Sequence, residues 1–203
     1  MITIIDYGMG NLGSIQNMIK KVSGKSFITS SIDDILKAEK LILPGVGSFD
    51  QAMLNLKSLG LIEVIKQKVN QGTPLLGICL GMQLLANGSE EGTLKGLGLI
   101  EGDVIKFPVD INSKIPHMGW NIVNYKTENT LFKDFEKFDE TRFYFVHSYY
   151  FKCKNEQNEL GITPFGMNFC SSVAHKNVYG VQFHPEKSHK FGMQLMHNFI
   201  HIS

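Results

Sequence analysis

Pro74-Leu75-Leu76-Gly77-Ile78-Cys79-Leu80-Gly81-Met82-Gln83-Leu84-Leu85-Ala86 is the stretch on which the fold turns. Pro74 to Ile78 is a short apolar run of the length a buried strand needs, and Leu80 to Ala86 has the apolar density of a packed helix. Between them Cys79 sits with a glycine two residues away on either side. A strand that turns this sharply into a helix is the unit of a parallel sheet.

Working outward, the same unit recurs upstream. Ile2 to Ile5 is a β-branched run that breaks at Asp6-Tyr7-Gly8-Met9-Gly10-Asn11, after which Leu12, Ile15, Ile19 and Val22 return at helical spacing. Ser26 to Thr29 precedes Ile32 to Leu36, and Lys40 to Leu43 precedes a Pro-Gly loop and Phe49 to Leu56. Alternating strands and helices predict an α/β fold with a mostly parallel central sheet flanked by helices. Downstream the rhythm changes to strand-like runs at Leu97 to Ile100, Val104 to Phe107, Asn121 to Asn124, Phe143 to Val146, Phe169 to Ala174 and Val178 to Val181. The second half is therefore expected to be strand-rich with some antiparallel pairing. Lys152 to Glu159 reads as an exposed hairpin tip, and Phe191, Leu195, Met196 and Phe199 mark one face of a last helix.

The 203 residues suit one domain, 1–203, and 43% hydrophobic residues suffice for a sizeable core. Twenty Lys+Arg against 19 Asp+Glu leave a net charge of +1, and Arg142 is the lone arginine. That inventory argues against a nucleic-acid partner. No run approaches a membrane span, so no membrane partner and a cytoplasmic location are expected. Cys79, Cys153 and Cys170 form no CxxC pair. Neither a disulfide framework nor a metal site is expected, and Cys153 and Cys170 read as packing residues.

In open α/β sheets ligands sit beyond the carboxyl ends of the parallel strands, which selects the loops after Ile5, Leu43 and Ile78. Gly77-Ile78-Cys79-Leu80-Gly81 has the form of a nucleophile elbow, with the alternative of a buried structural cysteine. Gln182-Phe183-His184-Pro185-Glu186 supplies a base and its orienting carboxylate, with Pro185 expected to turn Glu186 back towards His184. Together they complete a Cys79, His184, Glu186 set. Pro44-Gly45-Val46-Gly47-Ser48 is either a tight turn or, with the N–H of Leu80, an oxyanion hole built from Gly45, Val46 and Gly47.

These blocks resemble the class I glutamine amidotransferases, and the likeness covers nearly the whole chain. It extends through Asp6-Tyr7-Gly8-Met9-Gly10-Asn11-Leu12, Pro116-His117-Met118-Gly119-Trp120-Asn121 and Phe145-Val146-His147-Ser148-Tyr149-Tyr150. The resemblance implies hydrolysis of L-glutamine to glutamate and ammonia without a cofactor. It also implies substrate contacts from Gln83, Glu91, His147, Ser148 and Tyr149. The branch of the family that it resembles more narrowly delivers its ammonia, as one half of a heterodimer, to a (βα)8-barrel synthase that makes imidazole glycerol phosphate. Tyr7, Asn11, His117, Met118 and Trp120 are then the expected docking surface, with core packing as the alternative for Trp120. Gly13 and His189-Lys190-Phe191-Gly192-Met193 depart from that branch and leave open a second acceptor, a sugar amidotransferase of surface-glycan synthesis.

Overall fold

The computed structural model describes residues 1–111, 113–126 and 129–202. In chain order the first half runs β1 (Ile2–Ile5), α1 (Leu12–Lys21), β2 (Ser26–Thr29), α2 (Ile32–Leu36), β3 (Lys40–Leu43), α3 (Phe49–Ser58), α4 (Leu61–Asn70), β4 (Leu75–Ile78) and α5 (Leu80–Gln83). The second half runs β5 (Gly88–Ser89), β6 (Gly102–Lys106), β7 (His117–Ile122), β8 (Asn124–Tyr125), β9 (Arg142–His147), β10 (Tyr149–Cys153), β11 (Glu159–Pro164), β12 (Asn168–His175), β13 (Val178–Val181) and α6 (His189–His201).

One 11-stranded sheet organises the molecule in the order β2-β1-β3-β4-β13-β12-β10-β6-β5, and β11 pairs with both β12 and β8. From β2 to β13 every pairing is parallel. Beyond β13 the strands β12, β10 and β6 pair antiparallel. β7 and β9 form a separate antiparallel pair.

Period-two alternation divides the parallel strands between two cores. Ile2, Ile4, Ile42, Leu76, Ile78 and Val181 face the cluster closed by Ile15 and Ile19 of α1 and Leu195 and Phe199 of α6. Ile5, Leu41, Leu43, Leu75 and Val178 face the cluster closed by Ile35, Met53, Leu56, Leu61 and Ile65 from α2, α3 and α4. A sheet covered on both faces needs apolar strands throughout, which is why β1, β4 and β13 are buried at every position.

Three expectations need correction. Leu80 to Ala86 is helical only as far as Gln83, and Leu97 to Ile100 is not a strand. The two departures have one cause. The amides of Leu97, Gly98 and Leu99 donate to the carbonyls of Leu84, Ala86 and Leu85 at 2.8 to 3.0 Å. They cap the end of the short helix instead of entering a ladder. Third, Lys152 to Glu159 is exposed but closes no hairpin, because β10 and β11 each pair with β12 and not with one another. The Asn121 to Asn124 run spans the end of β7, which begins earlier at His117, and the first residue of β8, and α4, β10 and β11 were not anticipated.

Candidate active site

Cys79 occupies the turn between β4 and α5 with φ +54° and ψ −111°. A non-glycine residue held in that region stores roughly 1–3 kcal/mol of strain, which surrounding structure must impose. Here it is imposed by close approach. A Cβ on Gly77 would lie 2.6 Å from the Gly81 carbonyl oxygen, and one on Gly81 would lie 1.8 Å from that of Leu43. Only glycine fits at either flank, so the backbone is forced round and the thiol projects past the end of the sheet.

His184 lies three residues past the end of β13, and Pro185–Lys187 forms a single 3-10 turn. That turn brings the Glu186 carboxylate back so that His184 Nδ1–H donates to Oε1 at 2.8 Å, with both side chains only 2% exposed. The backbone of His184 is clamped as well. Its N–H donates to the Tyr144 carbonyl at 2.9 Å, and its carbonyl accepts from Ser188 Oγ at 2.6 Å. His184 Nε2 is buried without a partner among the described residues. Burial opposes protonation of this ring, but the neighbouring Cys79 sulfur and then the Glu186 carboxylate override it and raise its pKa from 6.5 to about 10. The site therefore favours an imidazolium beside the sulfur.

A cavity of about 320 Å³ opens over these groups, at the small end of the range for ligand pockets. Val46, Gly47, Cys79, Leu80, Gln83, Glu91, His147, Ser148, Tyr149 and His184 line it, together with Pro116 and Val146. Gly47 has φ +112°, which frees the peptide on that loop to adopt orientations closed to other residues. Gly45 lies beneath the lining, packed against the Tyr7 hydroxyl and Leu80.

The side chain of Gln83 is buried, and its Nε2 donates to the Tyr149 carbonyl at 3.2 Å and to Gln182 Oε1 at 3.0 Å. Glu91 Oε2 accepts from the N–H of Phe49 at 3.1 Å. That bond caps α3, whose N-cap Ser48 makes no side-chain cap of its own. His147 stands opposite His117 in the β7–β9 pair. His147 Nδ1–H donates to the Tyr149 carbonyl at 2.7 Å, so its Nε2 must accept from His117 Nδ1–H at 2.9 Å. His117 Nε2 in turn accepts from Asn121 Nδ2 at 3.1 Å. Burial lowers the pKa of both rings, to about 3 for His147 and about 4 for His117, which keeps the pair neutral.

Two residues expected on a docking surface are placed elsewhere. Tyr7 is 1% exposed and its hydroxyl donates to the Pro44 carbonyl at 2.7 Å, so it props the glycine loop from below. His117 is 4% exposed because odd-numbered positions of β7 point inward. Met118 and Trp120, on the outward face of the same strand, are 62% and 44% exposed, and Trp120 stacks on His189 with ring centroids 5.6 Å apart. Asn11 is exposed and caps α1.

The sequence reading missed Gln182 and Ser188 as working residues. Gln182 Nε2 donates to Cys79 Sγ at 3.8 Å while its Oε1 holds Gln83, so it ties two pocket residues together from a fully buried position. Both residues lie within six positions of His184, and that proximity was the available signal.

Residues 3–202 match the sequence model of a family described as glutamine amidotransferase class-I. A protein of Methanococcus maripaludis named imidazole glycerol phosphate synthase subunit HisH 2 is 58% identical, over 98% of each chain. A Pseudomonas aeruginosa protein of the same name is 47% identical over the full length of both chains. Among solved structures, PurLQS from Thermotoga maritima superposes with a TM-score of 0.73 at 19% identity, covering 98% of this chain and 96% of that one. A structure described as a glutamine amidotransferase gives 0.70 at 18%, covering 97% of this chain and 99% of the other. At those identities the structural likeness speaks for the fold.

Proposed function

The chain belongs to the class I glutamine amidotransferases, and from that premise we propose that it is the glutaminase subunit of an imidazole glycerol phosphate synthase. It hydrolyses L-glutamine to glutamate and ammonia for a synthase partner. The observation that supports the reading most is the strained Cys79 sharing one cavity with the buried His184–Glu186 pair.

The geometry allots the steps as follows. Glu186 occupies His184 Nδ1, so Nε2 is the ring atom left to exchange a proton with Cys79. The Cys79 thiolate attacks the side-chain amide carbon of glutamine, and the amide oxygen becomes an oxyanion held by the Leu80 N–H and the backbone of Gly45 to Gly47. His184 Nε2–H then protonates the departing nitrogen, which leaves as ammonia, and a thioester remains on Cys79. A water gives one proton to His184 and attacks the thioester, which releases glutamate and restores the thiolate. Glu91 faces the substrate α-ammonium, and the backbone of His147 to Tyr149 faces its α-carboxylate. His147 contributes no ring N–H of its own, because both of its nitrogens are already engaged.

In this reading the ammonia passes, within a cytoplasmic heterodimer, to a (βα)8-barrel partner docked over Met118 and Trp120. Among the described residues no helix is long and apolar enough to cross a membrane. The test is a pair of assays on the complex. Cys79→Ala should abolish glutamine-dependent synthesis and leave ammonia-dependent synthesis intact. Loss of both activities would give Cys79 a structural role, and glutaminase activation by a sugar amidotransferase instead of the barrel would reassign the acceptor.

A further inference from the structure

Away from the cavity, three strands each bring one metal-binding type of side chain to a common point. Cys153 ends β10, Cys170 lies within β12, and Glu159 opens β11. The two sulfurs are 4.0 Å apart, and one ligand atom from each of the three residues lies within 4.8 Å of the others. We propose that Cys153, Cys170 and Glu159 form a binding site for a thiophilic divalent cation of the zinc class, separate from the catalytic centre.

The spacing carries the argument. Two thiolates on one tetrahedral zinc, each with a bond of about 2.3 Å, stand about 3.8 Å apart, so the sulfurs need almost no rearrangement to share an ion. A disulfide needs them at about 2.05 Å, roughly half the present separation. The carboxylate is also placed for a third bond. The β11–β12 register shifts between Glu159 and Gly161 and again before Ile162, and such an irregularity re-aims side chains at the strand end. Cys170 is buried while Cys153 and Glu159 are partly open to solvent, which leaves a water the fourth position.

Electrostatics agrees with the geometry. The hydrogen bond to Cys153, burial, and the charges of Cys153 and Glu159 together hold the Cys170 thiol well above its ordinary range. Three groups that become anionic are crowded together, and although the Lys126 charge acts on Glu159, the two form no ion pair among the described residues. A divalent ion reverses that penalty. On binding, both thiols release their protons to solvent, and the ion takes two thiolates, one carboxylate and a water. No spacing rule exposes such a site, because its ligands come from three separate strands.

The test uses the full chain carrying Cys79→Ser, so that the catalytic thiol is silent, kept reduced with a phosphine and freed of metal. Zinc titrated against a chromophoric chelator should bind at one ion per chain, and cobalt should show thiolate charge-transfer and tetrahedral d–d bands. Cys153→Ser and Cys170→Ser should remove both signals, and Glu159→Gln should weaken zinc by about tenfold or more. Cys153 and Glu159 are partly exposed, so their variants serve even where Cys170→Ser fails to fold. Zinc lost on dialysis, or retained equally by Cys153→Ser, overturns the proposal. So does a Cys153–Cys170 disulfide that forms with mild peroxide in a chain that takes up no metal under reducing conditions.

Discussion

A methyl group at position 81 would stand 1.8 Å from the Leu43 carbonyl oxygen, with backbone on both sides and no flexible atom to yield. Gly81→Ala is therefore expected to cost more than about 3 kcal/mol, read as a fall in the urea midpoint or a failure to fold. The clash is steric and the elbow is strained in the same place, so a soluble Gly81→Ala chain should also lose glutaminase activity. At Glu186 the expectation is different, since its substitution leaves the backbone alone. Glu186→Gln should lower kcat by roughly 100-fold or more in a chain that still folds, because the imidazole loses the partner that fixes its tautomer and charge.

Element by element, β7 is the strand with two occupations. Its inward His117 and Asn121 hold His147, whose ring fixes the Tyr149 carbonyl, while its outward Met118 and Trp120 face solvent. His117→Ala should raise KM for glutamine by roughly tenfold with a smaller change in kcat, as the His147 to Tyr149 backbone loosens. The neutral pair also sets a pH dependence. Burial lowers the His117 pKa from 6.5 to about 4, so an unfolded chain takes up a proton that the folded one refuses as pH falls between those values. The stabilisation is complete above pH 6.5 and is lost towards pH 4, by at most about 1.4 kcal/mol per pH unit. Urea midpoints at pH 5 and pH 7 should differ less in His117→Ala than in the parent chain.

Legibility also differs from element to element. The elbow, the His184 turn and the parallel half could be read because each depends on a local pattern: a β-branched run, a glycine pair, a proline after histidine. Leu97 to Ile100 has the composition of a strand, and only the tertiary fold reveals that its amides are claimed by the carbonyls of Leu84 to Ala86. Tyr7 and His117 sit in blocks read as docking surface, yet burial is a property of what packs above them. Gln182 escaped notice because its place two residues before His184 marks it as near the site but does not reveal that its amide bridges Gln83 and Cys79.

At the scale of the whole molecule the two cores meet different obligations. Asn198 of α6 ties the segment after β8 to that helix by donating to the carbonyls of Leu131 and Lys133 at 3.0 and 2.7 Å from a buried position. Asn198→Ala leaves both carbonyls unpartnered and should cost about 1–3 kcal/mol in urea unfolding without changing the KM for glutamine. Trp120→Ala should behave in the opposite way. The isolated chain should unfold within about 0.5 kcal/mol of the parent, while affinity for the proposed barrel partner, followed by titration calorimetry, should fall by roughly 2 kcal/mol.

The place of β13 in the sheet order has a consequence for how the chain is made. It lies between β4 and β12, yet it is the last strand in sequence. Until residues 178–181 leave the ribosome, β4 offers an open edge of unpaired amides, and the parallel and antiparallel halves have no strand to join them. The proposed base and its carboxylate lie just beyond that strand, so on this reading a nascent chain gains its hydrolytic centre in the same event that closes its sheet. Chains released early by a stop codon before Val178 should aggregate, and none should squander glutamine.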